Sequence, residues 1–343
     1  MIEKAIEDLV DRRNLSEEKA MKAMGDIMKG KATEVQISAF LVGLRMKGET
    51  SEEIAGFAKC MREECIKIHT NVEGLVDTCG TGGDEIKTFN ISTTSMFVIA
   101  GAGIPIAKHG NRSVTSKAGS ADVLEALGVN INSNQKDVEE NIKKIGIGFM
   151  FAPNFHPAMK YAMPVRKMLK IRTVFNILGP LTNPTGARRQ ILGVYTSEIL
   201  EKIAYSLEKL GTDHSFVIHG DGMDEVTTLG KTLVAEIDDG VKFFKLYPKD
   251  FGFEKANLND LKSSGVKENA KIIYDILKGK KGAKRDIVLA NAALGIIAGG
   301  ITGDLRKAVE IAEESIDFGK AFGKLEMLVR EGGNISILEE FGE

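Results

Sequence analysis

Four clusters in this chain combine residue types and spacings that could do chemistry. The first is Gly80-Thr81-Gly82-Gly83-Asp84, with three glycines in four positions behind an apolar stretch. Glycine takes positive φ without strain, so successive backbone N–H groups can line up as an anion nest. The loop is not a Walker A sequence, because no Gly-Lys-Ser/Thr follows, and it lacks GxGxxG spacing. Alone it fits a tight turn or a phosphate site. Thr88, Asn90, Ser92 and Thr93 follow, with Ser92 or Thr93 opening a helical pattern. Hydroxyls, an amide and a helix N-terminus suit a phosphate monoester, although Ser and Thr also serve as ordinary caps. Beside the glycine loop, the anion site is favoured.

The second cluster is Lys108-His109-Gly110-Asn111-Arg112, followed by Ser113, Ser116, Lys117, Gly119 and Ser120. Lys and Arg supply charge, Asn and Ser supply directed donors, and the glycines permit close approach, as for a second wall of an anion pocket. His109 is either a proton-transfer group or a packed, hydrogen-bonded ring. The third is Asp221-Gly222-Met223-Asp224-Glu225. Adjacent carboxylates repel unless they are solvated or bridged by a cation. Mg²⁺ takes few protein carboxylates and keeps waters or phosphates, so it suits Asp224 and Glu225, as does a plain acidic turn. The fourth pairs Arg166 with Arg172, just beyond His156-Pro157. Arg grips a carboxylate through two parallel hydrogen bonds, and it also makes ordinary ion pairs. The His156 ring suits either covering a flat ligand or core packing.

These clusters need elements to position them. Residues 1–70 carry four amphipathic helical patterns, with Ser16 capping the second, Gly30 ending it, and capping boxes at Thr33/Gln36 and Thr50/Glu53. From residue 75 the pattern changes. Strands are expected at 75–79, 104–108, 147–151, 190–195 and 215–219, with helices at 92–100, 121–127 and 137–145 between them. Alternation of this kind predicts an α/β unit with a mostly parallel sheet and helices on its faces. Residues 233–237 and 242–247, around Asp238-Asp239-Gly240, read as an inserted hairpin. Helices at 267–278, 285–299 and 304–330 close the chain. Residues 164–184 read as a basic, proline-bounded crossing between the two units, a cleft wall.

Composition narrows the function. There are 46 basic and 48 acidic residues, net charge -2, so no global field favours nucleic acid or anionic membrane. Trp is absent and aromatics are 6%, too few for stacking platforms on single strands. The 37 glycines exceed ordinary usage, in keeping with loops that approach a ligand. Cys60, Cys65 and Cys79 form neither a disulfide framework nor a CxxC pair. Cys79 abuts the glycine loop without an evident His or Asp partner, and GxSxG and HExxH are absent. The charged opening MIEKAIEDLV lacks a signal-peptide core, and a reducing, cytoplasmic location is expected.

Taken together, DTCGTGGD (77–84), TFNIST (88–93), KHGNRSVTSKAGSADVLEALG (108–128), FAPNFHPAMKY (151–161), VRKMLKIRTVFNILGPLTNP (165–184) and HGDGMDEV (219–226) closely resemble the anthranilate phosphoribosyltransferases. These belong to the nucleoside-phosphorylase-like phosphoribosyltransferases, and the resemblance spans essentially the whole chain. It implies transfer of a 5-phosphoribosyl group from phosphoribosyl pyrophosphate to the amine of anthranilate, in tryptophan biosynthesis. It implies a small helical domain, 1–70 with 166–185, for dimerisation and the anthranilate side. An α/β domain, 71–165 with 186–343, would bind phosphoribosyl pyrophosphate. Carried over by position, Gly80, Gly83, Asp84, Thr88, Asn90, Ser92, Thr93, Lys108 and Ser120 would hold that donor. Gly80, Asn111, His156 and Arg166 would contact anthranilate, and Ser92, Asp224 and Glu225 would hold Mg²⁺. No residue is assigned as a general base. A homodimer is implied, without nucleic-acid or membrane partners. Glu85 and Lys170 depart from the family's usual glycines, which leaves local loop conformation and charge open. The rival readings are a pyrimidine-nucleoside phosphorylase and a non-catalytic nucleic-acid-binding relative. The intact Lys108–Arg112 run, Arg166 and Asp224-Glu225 argue against both.

Overall fold

The computed structural model describes every residue except 84, 85, 87, 114–117 and 343. The chain opens with helices α1 (Ile2–Val10), α2 (Glu17–Met28), α3 (Glu34–Lys47) and α4 (Ser51–Glu63). The Ser16 hydroxyl accepts from the Lys19 N–H, and both expected capping boxes are present. Apolar residues at helical spacing then bury one face of each helix, including Ala20, Met24 and Ile27 of α2 and Ile54, Phe57 and Met61 of α4. Gly56 lets α2 and α4 approach, because a Cβ there would strike the Glu17 carbonyl and lie 3.0 Å from the Ala20 Cβ. Glu53 is fully buried yet fully used. Its carboxylate accepts from the Leu15 N–H (2.8 Å), the Thr50 N–H (2.8 Å) and Lys47 Nζ (2.9 Å), which offsets the cost of burying charge.

The described residues form a seven-stranded sheet in the order β3-β2-β1-β4-β5-β6-β7. The strands are β1 (Val76–Gly80), β2 (Ile106–Gly110), β3 (Ile147–Phe151), β4 (Arg189–Gly193), β5 (His214–Gly220), β6 (Thr232–Ile237) and β7 (Val241–Leu246). The first five run parallel, and β6 and β7 are antiparallel. Helices α5 (Ile91–Gly101), α6 (Ser120–Ala126) and α7 (Gln135–Ile145) connect the early strands.

Alternation along the strands feeds two cores. Ile191 of β4 and Phe216 and Ile218 of β5 face α5 and the helix Ala283–Ala298. Leu192 and Val217 face α1–α4, residues 162–181 and the helix Leu200–Lys209. The chain passes from β1 to β2 on one side and from β4 to β5 on the other. The carboxyl ends of β1 and β4 therefore flank the switch point where open α/β sheets bind ligands.

The expected 233–247 hairpin is present and forms the antiparallel edge of the main sheet. Several other local expectations change. The strand expected at 190–195 ends at Gly193, and the helix Leu200–Lys209 was not foreseen. The helix expected over 304–330 is broken at Gly319 (φ 70) into Leu305–Asp317 and Lys320–Arg330. The crossing over 164–184 contains short helices at Met163–Leu169 and Phe175–Leu178. Helix α5 starts at Ile91, and its N-cap is Asn90, without a side-chain cap bond.

Candidate active site

Gly80 and Gly193 lie opposite each other at the ends of β1 and β4, and Asp224 is packed against both. A Cβ on Gly80 would lie 3.0 Å from the Asp224 Cγ, and one on Gly193 would run into the Asp224 main chain. These two glycines are needed for close approach. Gly82 (φ 63) and Gly83 (φ 82) are needed for the turn itself. The turn is pinned residue by residue. The Thr81 N–H donates to the Gly193 carbonyl (2.9 Å), and the Gly82 N–H donates to Asp224 Oδ2 (2.8 Å). Asp84, and the neighbouring Glu85, lie outside the described residues.

Glu225 reaches the start of α5, where its Oε1 accepts from the Ser92 N–H at 3.1 Å. A cavity of about 10 Å³ beneath is lined by Thr78, Ser92, Ser95, Glu225 and Asn291 among others, room for about one water. Burial raises the Asp224 carboxyl above its usual range, and the Gly82 N–H only partly opposes this. Lys108 is 2% exposed and donates to the carbonyl and, at 3.4 Å, to the hydroxyl of Thr78. Burial lowers its pKa, while the charge of Asp77 opposes the shift.

The remaining residues expected on the donor side are less tightly gathered. The Asn90 N–H donates to Asn269 Oδ1 (2.9 Å), and Thr88 forms an isolated bridge with Lys262. Thr93 is completely buried, and its hydroxyl has no partner among the described residues. On the second wall, Ser120 Oγ donates to the Asn111 carbonyl at 3.3 Å. A Cβ on Gly110 would collide with Ser120 Oγ, which accounts for the glycine there.

His109 and His156 meet as a buried pair, ring centroids 5.0 Å apart. Burial pushes the pKa of His109 down to about 3 and that of His156 down to about 4. Both rings are therefore neutral at pH 7, and the Nε2 of each has no partner among the described residues. Arg166 is half-buried, its guanidinium 5.3 Å from the Phe175 ring centroid, with a long contact to Met163 Sδ at 3.6 Å. It has no carboxylate partner among the described residues, and burial lowers its pKa. Such a cation is poised for an incoming carboxylate. Among the described residues no direct contact joins Arg166 to the glycine loop. Arg172 makes that contact, through the Gly83 carbonyl at 2.5 Å.

Sequence reasoning missed Asp77. Its carboxyl is fully buried, accepting from the His109 N–H (3.3 Å) and from Gln190 Nε2 (3.2 Å). Gln190 also donates to the Pro180 carbonyl (2.6 Å), and Asn183 Nδ2 donates to the Ala107 carbonyl (2.8 Å). The crossing segment is thereby stitched to the sheet where β1 and β2 share a single registered pair, Val76↔Ile106. The available signal was a carboxylate in the middle of a short strand, between Val76 and Thr78. Cys79 is no nucleophile here, because burial drives its thiol well above its ordinary pKa.

Residues 72–322 match the glycosyl transferase family a/b domain, and residues 3–65 match the helical bundle domain of the same family. The anthranilate phosphoribosyltransferase of Desulforamulus reducens is 51% identical over 331 residues, covering 96% of each chain. That of Methanocorpusculum labreanum is 52% identical over 335 residues, covering 97% of this chain and 98% of its own. Among solved structures, the Thermus thermophilus enzyme superposes with a TM-score of 0.91 at 41% identity, covering 95% of this chain and 98% of its own. The Saccharomyces cerevisiae enzyme, in complex with PRPP and Mg, gives 0.88 at 30% identity, with 96% and 97% covered. With the glycine loop and the Asp224–Glu225 pair meeting at one end of the sheet, the chain belongs to the anthranilate phosphoribosyltransferase family.

Proposed function

We infer that the chain transfers the 5-phosphoribosyl group from phosphoribosyl pyrophosphate to the amine of anthranilate. The products are N-(5-phosphoribosyl)anthranilate and pyrophosphate. The observation that carries this reading is the seating of Asp224 against Gly80, Gly82 and Gly193 at the switch point of the sheet, with Glu225 at the start of α5. It supports reading this spot as an oxyanion site beside two carboxylates. The similarity to relatives of that activity favours it over a nucleoside phosphorylase or a nucleic-acid-binding relative.

Departure of pyrophosphate leaves an oxocarbenium-like ribosyl centre, so the protein must hold leaving-group charge and align the amine. Gly80, Gly83, Asp84, Thr88, Asn90, Ser92, Thr93, Lys108 and Ser120 are proposed to hold the donor. Lys108 would have to leave the Thr78 carbonyl to do so. Arg166 would take the anthranilate carboxylate through two parallel hydrogen bonds, with Asn111, His156 and Gly80 beside it. The neutral rings of His109 and His156 give that side a low-charge wall, and no covalent nucleophile is required.

The residues present fit Mg²⁺. Their donors are oxygens, and Asp224 is a deeply buried carboxyl whose ionised form burial disfavours, so a cation there relieves a real cost. Ser92, Asp224 and Glu225 would hold the ion, which when bound neutralises pyrophosphate charge. The yeast relative solved with PRPP and Mg supports this assignment. We further propose a cytoplasmic homodimer. Residues 1–70 with 166–185 would provide its interface and the anthranilate side, and residues 71–165 with 186–343 the donor side. Among the described residues no helix is long and apolar enough to cross a membrane.

The decisive experiment follows anthranilate fluorescence with and without phosphoribosyl pyrophosphate and Mg²⁺. The signal should fall only when both are present. Folded protein that consumes no anthranilate under any condition refutes the reading.

A further inference from the structure

Arg172 is a charged residue near the site that the reaction scheme above leaves without a role. It follows the helix Met163–Leu169, which ends at Lys170 in a left-handed conformation (φ 51). The guanidinium carbon sits 4.2 Å from the Tyr195 ring centroid, and Nη2 donates to the Gly83 carbonyl at 2.5 Å. Tyr195 is itself tied to the loop, since its N–H donates to Thr81 Oγ1 at 3.0 Å.

Three successive residues of the turn are thus held by different parts of the chain. Thr81 is held by the end of β4, Gly82 by Asp224, and Gly83 by Arg172. Of these three anchors, Arg172 is the one that comes from the segment carrying Arg166. A turn with two successive positive-φ glycines has many alternative shapes in isolation. Gripping the Gly83 carbonyl removes part of that freedom. The cation–π contact with Tyr195 restrains the guanidinium, so less freedom remains to be lost when the loop is gripped. Arg172 has no carboxylate partner among the described residues, so its charge is not spent elsewhere.

We propose that Arg172, over the Tyr195 ring, is a positioning residue for the pyrophosphate end of the donor. It restricts the glycine loop to one shape and links that loop to the segment bearing Arg166. The proposal rests on the phosphoribosyl-transfer reading and adds a residue to it.

The test uses the full-length protein with Mg²⁺ present. Titration calorimetry measures pyrophosphate binding, and steady-state rates give KM for each substrate. Arg172→Ala should weaken pyrophosphate and raise the KM for phosphoribosyl pyrophosphate by about tenfold or more, the scale of one charge-assisted hydrogen bond. The KM for anthranilate should stay within about twofold. Tyr195→Leu should shift the same two quantities in the same direction by a few-fold. Arg172→Lys should not restore them, because an ammonium lacks the planar fork and cannot stack flat.

Full rescue by lysine means that charge alone is used and overturns the positioning role. Unchanged pyrophosphate affinity in Arg172→Ala, or an equal rise in both KM values, also overturns it. Arg172 is exposed, so the variants should fold, which an unchanged melting temperature checks. Wild-type protein that binds pyrophosphate while Arg172→Ala binds it equally well sinks this inference alone. Wild-type protein that neither binds pyrophosphate nor consumes anthranilate removes the transferase reading and the inference with it.

Discussion

Replacing Gly193 with alanine puts a single methyl group where β4 touches the acidic loop. Gly193 has no positive φ, so the backbone tolerates alanine, and the penalty is one of space. The new Cβ would overlap the Asp224 carbonyl and lie 3.0 Å from the Asp224 Cα. Carbon contacts sit at about 3.5–4.0 Å, and the obstacle is backbone, which cannot rotate away. The nearer carbonyl atoms set the shortfall, so the loop must retreat by roughly 1.5 Å or more, carrying Asp224 and Glu225 with it. Misplacement on that scale costs about 10²-fold in rate, equivalent to about 2.7 kcal/mol of barrier. Overpacking of this kind also lowers stability by about 1–3 kcal/mol. The assay is the initial rate of anthranilate fluorescence loss across a Mg²⁺ titration, beside a denaturant melt. Expected is a roughly hundredfold fall in kcat/KM with a higher Mg²⁺ requirement. Gly323→Ala is the control, because nothing lies within 4 Å of its new Cβ inside the helix Lys320–Arg330. It should keep full activity and gain about 0.5–1 kcal/mol. A Gly193→Ala enzyme within threefold of wild type, with an unchanged Mg²⁺ requirement, refutes the claim that close packing positions Asp224.

Two further outcomes follow from the site. Arg166→Ala should raise the anthranilate KM by about 10- to 100-fold, the worth of a bidentate charged pair, while the donor KM stays within about threefold. Comparable shifts in both would remove Arg166 from the anthranilate side. The second outcome is acid sensitivity. His109 and His156 have folded pKa values of about 3 and about 4, below the ordinary 6.5. On acidification the unfolded chain binds protons first, so stability is fully retained above about pH 6.5 and lost as pH falls. At pH 5 the loss is roughly 2 kcal/mol per ring. Thermal melts from pH 7 to pH 5 should therefore fall steeply in wild type and less so in His109→Asn. Equal slopes would show that the buried pair is not the cause.

The legible parts of the fold were those encoded locally. Thr33/Gln36 and Thr50/Glu53 form capping boxes because the partners are three residues apart and need no tertiary help. The glycine loop was legible because glycine clusters are uncommon behind strands. The bond that shapes it was not, since Gly82 and Asp224 are 142 positions apart. The same limit hid the histidine pair and Asp77, whose partners come from different elements. The helix Leu200–Lys209 was missed despite Leu200, Ile203, Ala204 and Leu207 on one face, a local signal left unread. The 233–247 hairpin was recognisable from its turn and β5 from its apolar run, whereas their pairing was not, because strand adjacency is decided by the whole sheet. Gly319 was passed over inside an amphipathic stretch, although its left-handed conformation breaks the helix.

The seat of Asp224 carries a consequence for how the protein meets its ligand. A glycine nest with nothing in it would leave N–H groups unsatisfied, and a buried carboxylate with no donor would be costlier still. Here the two liabilities cancel, because the Gly82 N–H is satisfied by Asp224. The resting molecule is thus self-saturated at its most polar point. An arriving anion does not fill a vacancy but competes for a donor already engaged. Its measured affinity is a difference between two bonds, smaller than the nest alone would give, and it should grow with any influence that draws the carboxylate elsewhere.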